Sequence, residues 1–464
     1  MKKNRISIVL RVIVLAMLVT VFAAAFPAPS HADFTYEDEK RLGKEFYEKI
    51  KEADMLVKDE QLNEYIDKIG RRLLTRDNRY PLDFTFSVIR SSGINAFATP
   101  GGYIYLFTGL INLVENESQL AGVLAHEIAH IQARHIAQMI AKSKQHSIAT
   151  LAALIAGAFL GGGEGAAVMG SLASATSASM SLKYSREHEE EADRLGMSYL
   201  TGAGYNGRGM LEFLKIMQFN QYYSTAIPSY FLTHPKTSDR ITYLTMLLET
   251  RYSDKGAKEI VGGLPRYQTR LHLMFGTPRD NMRIFSDRID RNPDDVEALY
   301  GLAVSESEMG RIESSRRHFR RALELSPLDW EITRDFGISL FEQGNVEYAL
   351  AMLKRAYGMK KEDRDILFYL GRCYETMNQP ETAISYFRHV NTTDPDDEDT
   401  LYHLAVNYGN TGELGLSHYY FGFYFKKTGK TKSALFHFRT ALEHLSTDSP
   451  QAGDIRKAME TMEA

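Results

Sequence analysis

Apolar and polar positions repeat at helical spacing over most of the chain. In residues 36–75 ("YEDEKRLGKEFYEKI", "LNEYIDKIGRRLL") apolar side chains recur every three or four positions among charges, the signature of amphipathic helices. The pattern then changes. "FTFSVI" (84–89) and "YIYLFT" (103–108) are rich in aromatic and β-branched residues and are separated by "SSGINAFATPGG", which predicts a small sheet. A helix is expected next. Asn116 is a good N-cap for it, with Gln119 three residues on as a variant of the capping box.

Residues 145–182 carry one charge, Glu164, among Ala, Gly, Ser and Met. The apolar run "SIATLAALIAGAFL" is 14 residues long and "GGGEG" breaks it, so it is short for a membrane span. The readings that stay open for 147–182 are a hairpin of core helices, or a mobile flap or membrane-touching element over a cleft.

From about residue 266 a longer period sets in. Gly310, Gly344, Asn378 and Gly412 are 34 residues apart, as are Phe319, Leu353, Phe387 and Phe421. Ala303, Gly337, Gly371 and Ala405 form a third register, and Ala322, Ala356 and Val390 a fourth. Small residues let two helices approach, the large apolar residue fills a groove, and Gly or Asn takes a left-handed turn. Such units bury their apolar faces only by stacking. The period resembles tetratricopeptide repeats: about four units over 296–427, a partial one before them, and a helix after them marked by Ala434, Phe438 and Ala441.

Composition adds three constraints. The first 32 residues run from a basic start ("MKKNRISIVLR") through 15 uncharged apolar residues to "PAPSHA", with Ser30 and Ala32 small, which predicts a secretory signal cleaved after Ala32. The leader holds four basic residues and no acidic one, so its removal takes the formal charge from −4 to −8 and nothing points to nucleic acid. The single cysteine, Cys373, allows no internal disulfide. A bacterial periplasmic protein is expected.

The chemistry concentrates in "GVLAHEIAHIQARH" (122–135). His126 and His130 are four apart on the expected helix, so both rings reach one ion, and zinc takes imidazole nitrogen readily. Glu127 is well placed to accept a proton from water activated by that ion. The extended pattern HExxHxxGxxH is absent, because Ala133 and Ile136 stand at its added positions; His135 falls one position short and reads as structural. A carboxylate from a later helix is the other route to a third ligand. "YSREHEEEADRLG" (184–196) carries Glu189 and Asp193 on one face, with Ala192 between them to allow close packing. One carboxylate can bind the metal while the other orients a histidine. The charges alone do not select Glu189 over Glu187, Glu190 or Glu191.

HExxH followed some sixty residues on by ExxAD resembles the zinc metallopeptidase family that includes HtpX and the CAAX prenyl endopeptidases. "INAFATPGGYIYLFTGLI" (94–111) and "LTHPKTSDRI" (232–241) are similar to segments of that family. The resemblance implies a mainly α fold: an α+β, zincin-like peptidase domain with a small sheet over 33–260, then an α-superhelical repeat domain over 266–450. It makes Glu189 the third ligand of one zinc ion and Asp193 its helper. It implies that Arg240 stabilises an oxyanion and that His234 gates the fourth zinc position. Substrate would pair along an edge strand at Asn95, Ala96 and Phe97, with little sequence preference. A leader, this peptidase and repeats in one chain resemble periplasmic proteases and chaperones of outer-membrane protein assembly. The implied partners are unfolded or misassembled proteins, and the assembly machinery through the repeats. The competing expectation is a non-catalytic scaffold in which the repeats do the work.

Overall fold

The computed structural model describes residues 34–74, 82–142, 155, 184–223, 230–234, 237–252 and 262–463. The expected leader, and the 147–182 segment apart from the buried Ile155, lie outside the described residues. The chain divides into two compact units, residues 1–264 and 265–464.

The first unit opens with α1 (Tyr36–Glu52) and α2 (Glu60–Leu73). Thr35 and Asp38 close a full capping box on α1, and Asp59 caps α2. Leu42, Phe46 and Ile50 recur on one face of α1 and are fully buried. They pack against the sheet formed by β1 (Thr85–Ile89), β2 (Ala96–Thr99) and β3 (Tyr103–Phe107). The strand order is β1-β3-β2, with β1 parallel and β2 antiparallel to β3. Ala96 faces Leu106 and Thr99 faces Tyr103, so β2 is an edge strand among the described residues. Phe97 stacks on Tyr105 with ring centres 4.9 Å apart.

After α3 (Thr108–Leu113) comes α4 (Glu117–Gln132), which carries both motif histidines. Asn116 caps it by accepting the Gln119 N–H at 3.0 Å, an interaction worth about 1 kcal/mol. The reciprocal half of the box differs from expectation: the Gln119 side chain accepts from Glu115 N, one residue before the cap. Every residue of α4 is buried, and Leu, Ala, Val and Ile recur on all sides of it. It packs against β2, α6 (Arg186–Gly202) and α7 (Arg208–Tyr223). Between α4 and α6 lie α5 (His135–Lys142) and the 147–182 segment; α8 (Tyr230–Thr233) and α9 (Thr237–Arg251) complete the unit.

The second unit is all helix. Four pairs form the expected repeats: α12 (Val296–Glu308) with α13 (Ile312–Leu325), α14 (Trp330–Glu342) with α15 (Val346–Met359), α16 (Arg364–Thr376) with α17 (Pro380–Thr393), and α18 (Glu398–Asn410) with α19 (Leu414–Lys427). The periodic turn residues do what the spacing implied. Gly310, Gly344, Asn378 and Gly412 all have φ between 54° and 82°. A Cβ on Gly371 would lie 2.7 Å from the Phe387 ring, so the small and aromatic registers meet inside one pair. Phe319 also stacks on Phe336 of the next pair at 5.0 Å. The ends are fuller than the sequence reading allowed. The partial unit is a complete pair, α10 (Leu264–Phe275) and α11 (Pro278–Arg291), and the trailing α20 (Thr431–His444) has a partner, α21 (Pro450–Glu463). The missed signal was Ile455, which continues the Phe421 register at 34 residues and is fully buried.

Candidate metal centre

The site forms because α6 lies close against α4. Ala192 and Gly196 are four apart on the buried face of α6, and a Cβ on Gly196 would sit 3.1 Å from the Ala125 backbone. That approach carries Glu189 and Asp193, on the same face, to the histidines of α4. Glu187, Glu190 and Glu191 project outward, whereas Glu189 is 1% exposed. The stripe Ala192, Gly196, Met197, Leu200 extends back to Glu189 at helical spacing, so the sequence held a signal that singles it out.

Four side chains converge. His126 Nε2 lies 3.0 Å from His130 Nε2 and 3.5 Å from Glu189 Oε2. His130 Nε2 is 3.6 Å from Glu189 Oε1. His234 Nδ1 is 3.4 Å from His126 Nε2 and 2.9 Å from Glu189 Oε1. One donor atom from each of the four falls within 4.8 Å of the others, and all four residues are buried. Tetrahedral zinc with bonds of about 2.0–2.1 Å needs donor separations of roughly 3.4 Å. The donor set of three imidazoles and a carboxylate therefore fits zinc in both chemistry and spacing. Glu127 supplies a further test. It is fully buried, and neither of its carboxylate oxygens has a hydrogen-bond partner among the described residues. A buried carboxylate left so is costly unless a ligand completes it.

The surroundings hold these groups in place. Asp193 Oδ1 is 3.0 Å from His126 Nδ1, the ring nitrogen turned away from the cluster. Arg240 forks onto Asp193 through Nε at 2.8 Å and Nη2 at 2.7 Å, and its Nη1 reaches Glu189 Oε2 at 2.6 Å. Tyr184 stacks on His130 at 3.8 Å and Tyr230 on His234 at 4.4 Å. Neither tyrosine was singled out in the sequence. His135, read there as structural, is buried with Nδ1 2.9 Å from His130 Nδ1.

The electrostatics follow from burial and pairing. Burial works against ionisation of Glu189, but the charges of Arg240 and His234 outweigh it and hold the carboxyl well below its usual range. Asp193 is lowered too: burial opposes, and Arg240 and His126 prevail. Burial raises Glu127. His130 is driven well down by burial and by His126 beside it. His126 goes up to about 9, because the hydrogen bonds of Asp193 and Glu189 overcome burial and the Arg240 charge. Metal binding requires each ligating imidazole nitrogen to be bare, so it competes with protons at these rings.

The remaining expected residues lie close by. Asn95, Ala96 and Phe97 are fully buried, and Asn95 O accepts from Phe107 N at 3.0 Å. The His234 segment is tied to this strand's approach: Tyr230 N donates to Ile94 O at 3.2 Å, and His234 N to Tyr230 O at 2.9 Å.

Residues 60–247 match the family model described as Peptidase family M48, and 302–356 and 340–407 match tetratricopeptide repeat models. The chain is 28% identical over 249 residues to the beta-barrel assembly-enhancing protease of Escherichia coli K12, which covers 52% of this chain and 51% of that one. A Vibrio cholerae O1 protein assigned by name to the same protease is 36% identical over 210 residues, 45% of this chain and 43% of that one. The mitochondrial metalloendopeptidase OMA1 of Schizosaccharomyces pombe is 26% identical over 212 residues, 45% of this chain and 60% of that one. The chain thus matches about half the length of these relatives. Zinc is the metal of this peptidase family, and the buried cluster accommodates one ion. The first unit is thus similar to peptidase family M48 over residues 60–247, and the second to tetratricopeptide repeats over 302–407.

Proposed function

We propose that the chain is a zinc-dependent endopeptidase of the bacterial periplasm that acts on unfolded or misassembled outer-membrane proteins. The observation that carries the reading is the buried set His126, His130, Glu189 and His234 beside a Glu127 carboxylate without a hydrogen-bond partner among the described residues. His126, His130 and Glu189 would hold the ion. When bound, zinc supplies Lewis acidity, polarising a carbonyl and making water nucleophilic near neutral pH. Glu127 takes the proton from the attacking water and delivers it to the leaving amine. Burial, which raises Glu127, suits a group that must hold that proton in transit.

Substrate pairs through its backbone along the β2 edge at Asn95, Ala96 and Phe97. Asp193 orients His126. Arg240 is better read as a positioning group than as an oxyanion donor, because it donates two hydrogen bonds to Asp193 and pairs its remaining nitrogen with Glu189. His234 gates the centre. Its ring is among the converging donors, and its loop is hydrogen-bonded to the residue just before the substrate strand. The repeats dock the peptidase onto a protein complex of outer-membrane assembly.

The test is Glu127→Gln, which keeps shape and removes the base. Zinc content should stay near one per chain, and cleavage of an unstructured protein should fall about 100-fold or more. Cleavage at the wild-type rate would refute the assignment.

A further inference from the structure

His130 has two ring nitrogens, and only one faces the cluster. If Nε2 is a ligand atom, it must be bare, so the ring hydrogen sits on Nδ1. That nitrogen points at His135 Nδ1, 2.9 Å away. A donor there requires His135 Nδ1 to accept. The hydrogen of a neutral His135 is then on Nε2, which lies 3.3 Å from Glu191 Oε2. Every tautomer in the chain is set by the first. The result is a directed path from His130 through His135 to a half-exposed carboxylate.

The backbone supports the assignment independently. Arg134 has φ of +56°, unfavourable for a residue with a side chain. This turn ends α4 and returns the chain so that His135 lies against His130. It is held from outside: Arg134 Nε bonds Glu39 Oε1 at 2.7 Å, and its guanidinium covers the Tyr36 ring at 4.2 Å. Strained positions kept by such anchoring cluster at functional sites. The His135 ring is further pinned by His188, stacked at 4.4 Å.

We infer that His135 is a positioning residue of the metal centre: it accepts the ring N–H of His130 and passes the hydrogen bond on to Glu191. The two motif histidines are thereby oriented in different ways. His126 meets Asp193 directly, and His130 meets Glu191 through an intervening imidazole. The inference rests on the zinc reading above.

The test measures zinc affinity of the full chain by competition with a chelator, for wild type, His135→Leu and His135→Asn. Asparagine places Oδ1 where His135 has Nδ1 and so keeps the acceptor. Leucine has similar size and no acceptor. Loss of an orienting partner typically weakens a metal site 10–100-fold, and that loss is expected for leucine, with asparagine near wild type. Thermal unfolding of the metal-free forms should separate the two variants far less than zinc affinity does. Equal affinity of leucine and wild type overturns the proposal, as does an asparagine variant as weak as leucine. Failure of wild type itself to hold zinc would instead refute the underlying reading.

Discussion

Arg240 grips Asp193 with two parallel hydrogen bonds, Nε to Oδ2 at 2.8 Å and Nη2 to Oδ1 at 2.7 Å, and both side chains are buried. The same guanidinium reaches Glu189 through its third nitrogen. One side chain therefore sets the position of the proposed ligand carboxylate and of the carboxylate that holds His126. Lysine cannot reproduce that fork. Arg240→Lys should weaken zinc binding about 10–100-fold, read by chelator competition. If zinc affinity is unchanged and only turnover falls, Arg240 acts on the transition state as the sequence reading had it.

Glu189→Ala removes the carboxylate shared by both α4 histidines and leaves Arg240 with Asp193 alone. Purified protein should lose most of its zinc after dialysis, measured by elemental analysis. Retention of one zinc per chain would show that another group completes the site.

His234→Ala opens the fourth position without touching the other donors. Zinc content should persist and proteolysis should rise, with self-cleavage visible as new fragments on a gel. A variant with normal zinc and reduced cleavage would assign His234 to substrate or transition-state contact and remove the gate.

In the repeats, Gly371→Val drives methyl groups toward the Phe387 ring, which would lie only 2.7 Å from a Cβ at this position. Overpacking of this kind costs about 1–3 kcal/mol. The thermal transition of the second unit should fall while zinc binding stays as in wild type. An unchanged transition would show that the pair can spread without cost.

His126 and His130 were legible because helical geometry acts locally: residues four apart on one helix share a face whatever surrounds them. The repeats were legible for a related reason, since each unit meets only its neighbours and the 34-residue spacing records that contact. Even the last helix, not anticipated from the period, lies in that register at Ile455. Glu189 was half legible, through the buried stripe of Ala192, Gly196 and Met197 that its charged neighbours obscure. The rest belongs to tertiary structure. His234 meets His126 across 108 residues, and Arg240 meets Asp193 across 47. His135 is close in sequence, yet its contact with His130 depends on a left-handed turn at Arg134 that Glu39 and Tyr36 hold from the first helix. No local period encodes such meetings. They are decided by how closely α6 packs on α4 and by where the described loops return, which are properties of the packed whole.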